Sequence, residues 1–299
     1  MTSPFHPGER EIQRRAGVED MAEQVGAGID SEIPFGAARF LARQRLAVAT
    51  SLDGDGRVWA SLLTGDPGFI TATDTQLVRA QVRPTSGDPL WPNLKQRPEL
   101  GLLVIDPTTR QRMRFNGRGL VSPDGLFLMA KQVYGNCPKY IQKRRLRTEP
   151  GAPEPGRVKV SAQLSDGQRA WIEDADTLFI GSFHPEGGAD ASHRGGRPGF
   201  VTVSGPNELS FPDYPGNAMF NTLGNLSAYS QAGLLFVDFE SGDVLQLAGR
   251  ARIDDDFAVH FTIDAVRETP HASALRFDLV EYSPSNPPVT HDHARHPKA

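Results

Sequence analysis

Residues 191–200 read ASHRGGRPGF, and Ser192, His193, Arg194 and Arg197 among them could do chemistry. His193, Arg194 and Arg197 cluster around Gly195, a basic set suited to holding something negative. The same frame, A-S-x-x-x-G-x-P-G-F, occurs earlier as ASLLTGDPGF at residues 60–69. There the variable positions are Leu62, Leu63, Thr64 and Asp66, residues suited to packing.

The duplication extends beyond this frame. Ser51 falls on Ser182 and Ala60–Phe69 on Ala191–Phe200, all 131 residues apart. After one inserted residue the spacing is 132. It relates Asn93-Leu94 to Asn225-Leu226, GLLVID (101–106) to GLLFVD (233–238), and Gly117-Arg118 to Gly249-Arg250. Each unit starts with a β-rich run, LAVATSL or TLFIGSF. A turn, a P-G-F strand, a polar stretch ending in N-L, an apolar strand and a last strand through G-R follow. Short strands joined by turns predict a barrel or sandwich. The fold class expected is mainly β with short helices, as two tandem split β-barrels forming an internal pseudo-dimer.

The division expected is a helical arm (1–35), a first unit (36–148), a Pro/Gly linker (149–160), a second unit (161–283) and a tail (284–299). EPGAPEPGR (149–157) disfavours helix and strand interiors alike. Helices are expected within 9–30, at 36–44 and at 167–174. A further one is expected over NCPKYIQKRRLR (136–147), capped by Asn136 with Pro138 in its first turn.

The chain has 299 residues, with 38% hydrophobic and 23% charged, 30 glycines, 24 prolines and one cysteine. Net charge is -4, so no basic field favours nucleic acid. No apolar run reaches membrane-spanning length. The lone Cys137 excludes an intrachain disulfide and a cysteine-cluster metal site. The N-terminus lacks a signal-peptide core, so a cytoplasmic protein without a membrane partner is expected, and no metal site.

LLTGDPGF, NLKQRPELGLLVID and NGRG, in that order and twice over, resemble the pyridoxamine 5′-phosphate oxidase-like FMN-binding split-barrel family. The resemblance covers roughly 40–145 and 170–282. It implies a flavin in a groove between two barrels, here built within one chain, which could still pair as a homodimer. The cofactor expected is FMN, with FAD, a deazaflavin or haem as alternatives. In the family, phosphate contacts come from the strand end before G-F and from the polar stretch entering the helix. In the second unit these are HRGGRPGF and GNAMFNTLGNL. Arg194 and Arg197 are then candidates for the phosphate, with Gly195 and Gly196 admitting backbone amides. Asn221, Thr222 and Asn225 are candidates for phosphate or ribityl oxygens, or Asn221 and Asn225 are helix caps. Ser192 and His193 are candidates for the ring edge or ribityl chain. Lys139 and Tyr140 are expected in a first helical turn facing flavin or an acidic substrate. The family's lysine in L-L-K-G falls on Gly195, and its Ser-Arg-Lys stretch on Asn221-Thr222-Leu223.

The function expected is a flavin-dependent oxidoreductase acting on a small-molecule substrate or electron donor, with no catalytic side chain assigned. The alternative is a flavin- or haem-binding protein without turnover, with the tail residues His291, His293 and His296 as candidate axial ligands.

Overall fold

The computed structural model describes residues 3–82, 85, 87–147 and 154–288. An N-terminal arm carries α1 (Pro7–Arg15) and α2 (Glu19–Gly26), and α3 (Phe35–Leu41) leads into the first sheet. That sheet is built from β1 (Leu46–Leu52), β2 (Val58–Thr64), β3 (Ile70–Ala72), β4 (Leu77–Ala80), β5 (Glu99–Asp106), β6 (Gln111–Ser122) and β7 (Gly125–Gly135). Helix α4 (Leu90–Gln96) precedes β5. After β8 (Lys143–Leu146), β9 (Lys159–Ser161) and α5 (Asp166–Asp174), the pattern repeats. It runs through β10 (Thr177–His184), β11 (Gly188–Gly195), β12 (Thr202–Gly205), β13 (Glu208–Phe211), α6 (Asn221–Ala228), β14 (Gln231–Val237), β15 (Val244–Ile253) and β16 (Val259–Thr269). Strand β17 (Phe277–Glu281) closes the described chain.

The chain is mainly β, and its two large sheets have the same strand order. The first runs β2-β1-β5-β6-β7-β4-β3 and the second β11-β10-β14-β15-β16-β13-β12, with β9 added to β16. All the pairings are antiparallel. Even an irregularity repeats: β6 shifts register between Asn116 and Gly117, and β15 between Ala248 and Gly249. The apolar alternation of each unit fills its own core, around Phe115 in the first and Phe261 in the second.

A third apolar cluster joins the units. Leu46, Val48, Ala60 and Leu103 pack there with Phe179, Ala191 and Leu235. The backbones come close enough to need glycine at equivalent points of both units. A Cβ on Gly101 would lie 2.6 Å from Asp190 Cα, and one on Gly233 would lie 2.8 Å from Trp59 Cα. An inner strand of each sheet, β5 or β14, therefore crosses directly over the edge strand of the other, β11 or β2.

The helices within 9–30, at 36–44 and at 167–174 form as expected, the first as two pieces divided at Gly17, which has φ +67°. The helix expected over 136–147 does not form. Tyr140 takes a left-handed φ of 67°, and residues 143–146 form β8, paired with β17. Gln142 locks this path: its Nε2 donates to the carbonyls of Tyr140, Asp176 and Gly196, and its Oε1 accepts from Ser283 N. Long-range pairing outweighs a local capping pattern here. Residues 149–153 of the expected linker lie outside the described residues, as do the three tail histidines, and its last two residues belong to β9. Among the described residues no helix is long and apolar enough to cross a membrane.

Candidate functional site

Strand alternation puts Arg112, Arg114 and Asn116 on one face of β6, while Phe115 points into the core. On β11 the same alternation sends Asp190 and Ser192 one way and His193 the other. Because β6 of the first unit faces β11 of the second, these side chains meet. Arg114 Nη1 donates to Asp190 at 3.0 and 3.2 Å and to Asn221 Oδ1 at 3.1 Å. Asn116 Nδ2 donates to Asp190 Oδ1 at 3.0 Å, and Ser192 Oγ to Asp190 Oδ2 at 3.2 Å. Arg114 and Asp190 are 7% and 3% exposed, so their charges are held by each other and by this ring of polar groups.

Beside this pair lies a cleft enclosing about 700 Å³ of empty space open to solvent. Arg112, Arg114, Asn136, Cys137 and Tyr140 line it from the first unit. The second unit supplies His193, Arg194, Gly195, Phe200, the 212–220 loop and the start of α6. Arg112 Nη1 donates to His193 Nδ1 at 2.9 Å, and its Nε and Nη2 donate to Cys137 O. No carboxylate lies within ion-pair distance of Arg112 among the described residues. Burial, then the charges of Arg114 and Arg194, push its pKa down to about 9. His193 is held neutral: burial and the surrounding arginines, Arg112 foremost, lower its pKa well below the usual value. Since Arg112 donates to Nδ1, the ring proton sits on Nε2.

Backbone strain concentrates here. Six non-glycine residues among those described have positive φ, and Tyr140, Ala218 and Phe220 of these line the cleft. Helix α6 starts at this wall, and among the described residues no side chain caps its N-terminal N–H groups.

The residues expected at the site divide into groups. Tyr140, His193, Arg194, Gly195, Asn221 and Thr222 line the cleft. Arg194 is engaged by Asp213 at 2.8 Å. Tyr140 donates through its hydroxyl to Pro215 O and leans on Tyr214. Gly195 lets β11 press on the carbonyl of Tyr140, and Gly196 packs on Phe200. Ser192 and Thr222 are buried and bonded to each other at 2.8 Å. Lys139 is exposed outside the lining, and Arg197 is exposed over the Tyr282 ring, 4.9 Å from its centroid. Asn225 is turned away from the cleft. Its Nδ2 donates to Ser182 Oγ at 2.9 Å, and its Oδ1 takes His6 Nε2–H at 2.8 Å. The first-unit counterpart does the same, Asn93 Nδ2 donating to Ser51 Oγ at 3.0 Å.

Sequence reasoning missed Arg112, Arg114, Asn116, Asp190 and the arm residues His6 and Glu9. The signal for the first three was the alternation in QRMRFN (111–116), where polar residues interleave with Met113 and Phe115. The first unit supplies two arginines, Arg112 and Arg114, to a cleft whose basic residues were expected from the second unit's HRGGRPGF. The counterparts of Arg112 and Arg114 on β15 are Val244 and Gln246, and those of His193 and Arg194 on β2 are Leu62 and Leu63. At that pseudo-equivalent place Gln246 Nε2 instead donates to Ala60 O and to Asp88, which also takes the Ser61 hydroxyl. Burial raises the pKa of Asp88 there.

No family model matches the sequence, and no curated protein sequence does. Solved structures do align with parts of it. A putative pyridoxamine 5′-phosphate oxidase from Lactobacillus delbrueckii aligns at 16% identity and a TM-score of 0.30, over 36% of this chain and 94% of its own. An F420 reductase aligns at 16% identity and 0.24, over 35% and 97%. An FAD binding protein from Mycobacterium smegmatis aligns at 14% identity and 0.25, over 38% and 98%. Each of these three proteins aligns with about a third of the chain.

Proposed function

We propose that the chain binds an FMN-type flavin in the cleft between its two units and acts as a flavin-dependent oxidoreductase on a small-molecule substrate or electron donor. The observation that carries this reading is Arg112, a guanidinium facing the cleft with no carboxylate partner among the described residues. A phosphate dianion would supply the missing counter-charge. It would also meet the uncapped N–H groups at the start of α6.

The residues present fit such a group. The cleft walls combine arginines with the rings of Phe200, Tyr214 and Phe220. Buried Nε atoms of Arg114 and Arg194 and the Oδ1 of Asn136 have no hydrogen-bond partner among the described residues. Arg112 and α6 would hold the phosphate, while His193, a neutral donor through Nε2, is placed to orient a carbonyl or ring-nitrogen acceptor. Phe200 and Phe220 would exclude water. A bound flavin would supply hydride or single-electron transfer. The resemblance of LLTGDPGF, NLKQRPELGLLVID and NGRG to FMN-binding split barrels supports the same reading, as does the internal pairing of two like sheets.

The test is the absorption spectrum of the purified protein, with mass analysis of the molecule released by heat. Flavin bands with FMN released agree with the proposal, and FAD or a deazaflavin would correct the cofactor. A colourless protein that also fails to take up added flavin would overturn it.

A further inference from the structure

The Arg114–Asp190 pair has two sides. Arg114 lines the cleft described above, whereas Asp190 lines a second compartment on the other side of the same wall. This compartment encloses about 910 Å³ of empty space open to solvent. The N-terminal arm contributes Phe5, His6 and Glu9 to it, and Asn116, Asn221 and Asn225 lie opposite. The sign of the lining charge reverses across the wall.

Acceptors dominate this second lining. Asn116 is 5% exposed, and its Nδ2 is committed to Asp190, which fixes the amide orientation. Its Oδ1 is then a buried acceptor without a donor among the described residues. Glu9 takes His6 N–H on Oε2 at 2.9 Å and Asn221 Nδ2 on Oε1 at 2.5 Å, which leaves lone pairs unused. Asp190 is saturated by Arg114, Asn116, Ser192 and Tyr134, and contributes the sign of the field rather than a contact. His6 contributes no positive charge. Burial and the neighbouring His184 push its pKa down to about 4, and its Nε2–H is committed to Asn225. Lys131 and Glu186, at the rim, offset each other.

We infer that this arm-covered compartment is a second binding site, for a small amine or similar cationic hydrogen-bond donor, held by Asn116 Oδ1 and the Glu9 carboxylate. The inference does not rest on the flavin reading, because it uses the opposite face of the wall. An ammonium group would satisfy the orphaned amide oxygen and neutralise a buried carboxylate in one step. Glu9 is faced by His6, by Asp190 on β11, and by Arg114 and Tyr134 on β6 and β7. Burial, the largest influence, lifts its pKa to about 7. Amine binding should therefore drive proton release from Glu9 and weaken as pH falls below neutrality.

The probe is 1,4-diaminobutane, titrated calorimetrically into the full chain at pH 8, with 1,4-butanediol and succinate as controls. The expected result is saturable binding of the diamine at one site, with neither control binding. Affinity should fall about tenfold at pH 6 and at least as far in Glu9→Gln or Asn116→Ala. Should either variant fold poorly, the ring-proton shifts of stacked His6 and His184 on adding diamine to the unaltered protein give the same reading. Absence of saturable diamine binding, equal binding of the diol, or an affinity unchanged by Glu9→Gln would each overturn the inference.

Discussion

Thr50 and Gly181 occupy the same position in the two repeats, 131 residues apart, and they lie against each other. A Cβ added to Gly181 would sit 2.7 Å from Thr50 Oγ1 and 2.8 Å from its Cγ2. Residues related by an internal two-fold can touch only on its axis, so β1 and β10 cross at the centre of the molecule. Gly181→Ala should cost about 1–3 kcal/mol by overpacking. Thr50→Ala should recover part of that loss in the double variant, since it removes both near atoms. Urea denaturation of the four-protein cycle reads the coupling, and strictly additive effects would refute the contact.

Asn93 and Asn225 are predicted to be structural twins. Each donates to the equivalent serine, Ser51 or Ser182. Asn93→Ala and Asn225→Ala should each cost about 1–3 kcal/mol, the penalty for a buried hydroxyl losing its partner. Flavin affinity measured below the unfolding transition should be unchanged in both. A selective loss of flavin in Asn225→Ala, at normal stability, would return that residue to the cofactor site.

Arg112 is expected to contribute to ligand affinity, because its positive charge lacks an internal counter-charge. Arg112→Met should weaken FMN by roughly 1.5–3 kcal/mol, the scale of a charged hydrogen bond, with the melting temperature little lowered. Fluorescence quenching on FMN titration measures it. Unchanged affinity would remove Arg112 from the phosphate.

Arg114 should behave in the opposite way. Arg114→Met strands the Asp190 carboxylate in a buried position and should cost about 3–5 kcal/mol. Adding Asp190→Asn should restore part of it. If Arg114→Met is as stable as the parent, the pair is not the partition between the two compartments.

His6 and Glu9 should tilt the pH dependence of stability in opposite directions. Glu9 is raised from 4.5 to about 7, so between those values the folded state keeps a proton that the unfolded chain has released. Its contribution to stability therefore falls as pH rises through that window. His6 is lowered from 6.5 to about 4, so between those values the unfolded chain holds the extra proton. Its contribution rises with pH. The windows overlap, and in the parent the two slopes oppose each other. Glu9→Gln should steepen the rise in stability from pH 4.5 to 6.5, by up to about 3 kcal/mol relative to the parent. A parent and variant with parallel stability–pH curves would refute the buried-carboxylate reading.

The repeated strands were legible because short-range alternation and turn residues encode them. GLLVID and GLLFVD became β5 and β14, and the A-S-x-x-x-G frame became β2 and β11. The basic residues His193 and Arg194 were legible as a site feature because they break the symmetry of that frame. Arg112 and Arg114 break it as well, on the other unit, but β6 has meaning for the site only once its crossing with β11 is known. His6 and Glu9 were hidden for a similar reason. They reach Asn225 and Asn221 across more than two hundred residues, and nothing local in PFHPGE announces it. The segment 136–147 misled because its capping pattern is genuine, while its partner strand β17 is far along the chain.

The unequal sharing of basic residues between the two equivalent places has a consequence for inheritance. In a symmetric dimer of identical chains every substitution arrives in both clefts at once, so gain in one is tied to change in the other. Here a substitution on β6 alters one cleft and the corresponding substitution on β15 alters the other. Joining the two halves in one polypeptide releases them from that tie. One place could then concentrate positive charge while its counterpart closed around Gln246 and Asp88. Neither half carries a complete cleft, so the two must be inherited as one unit.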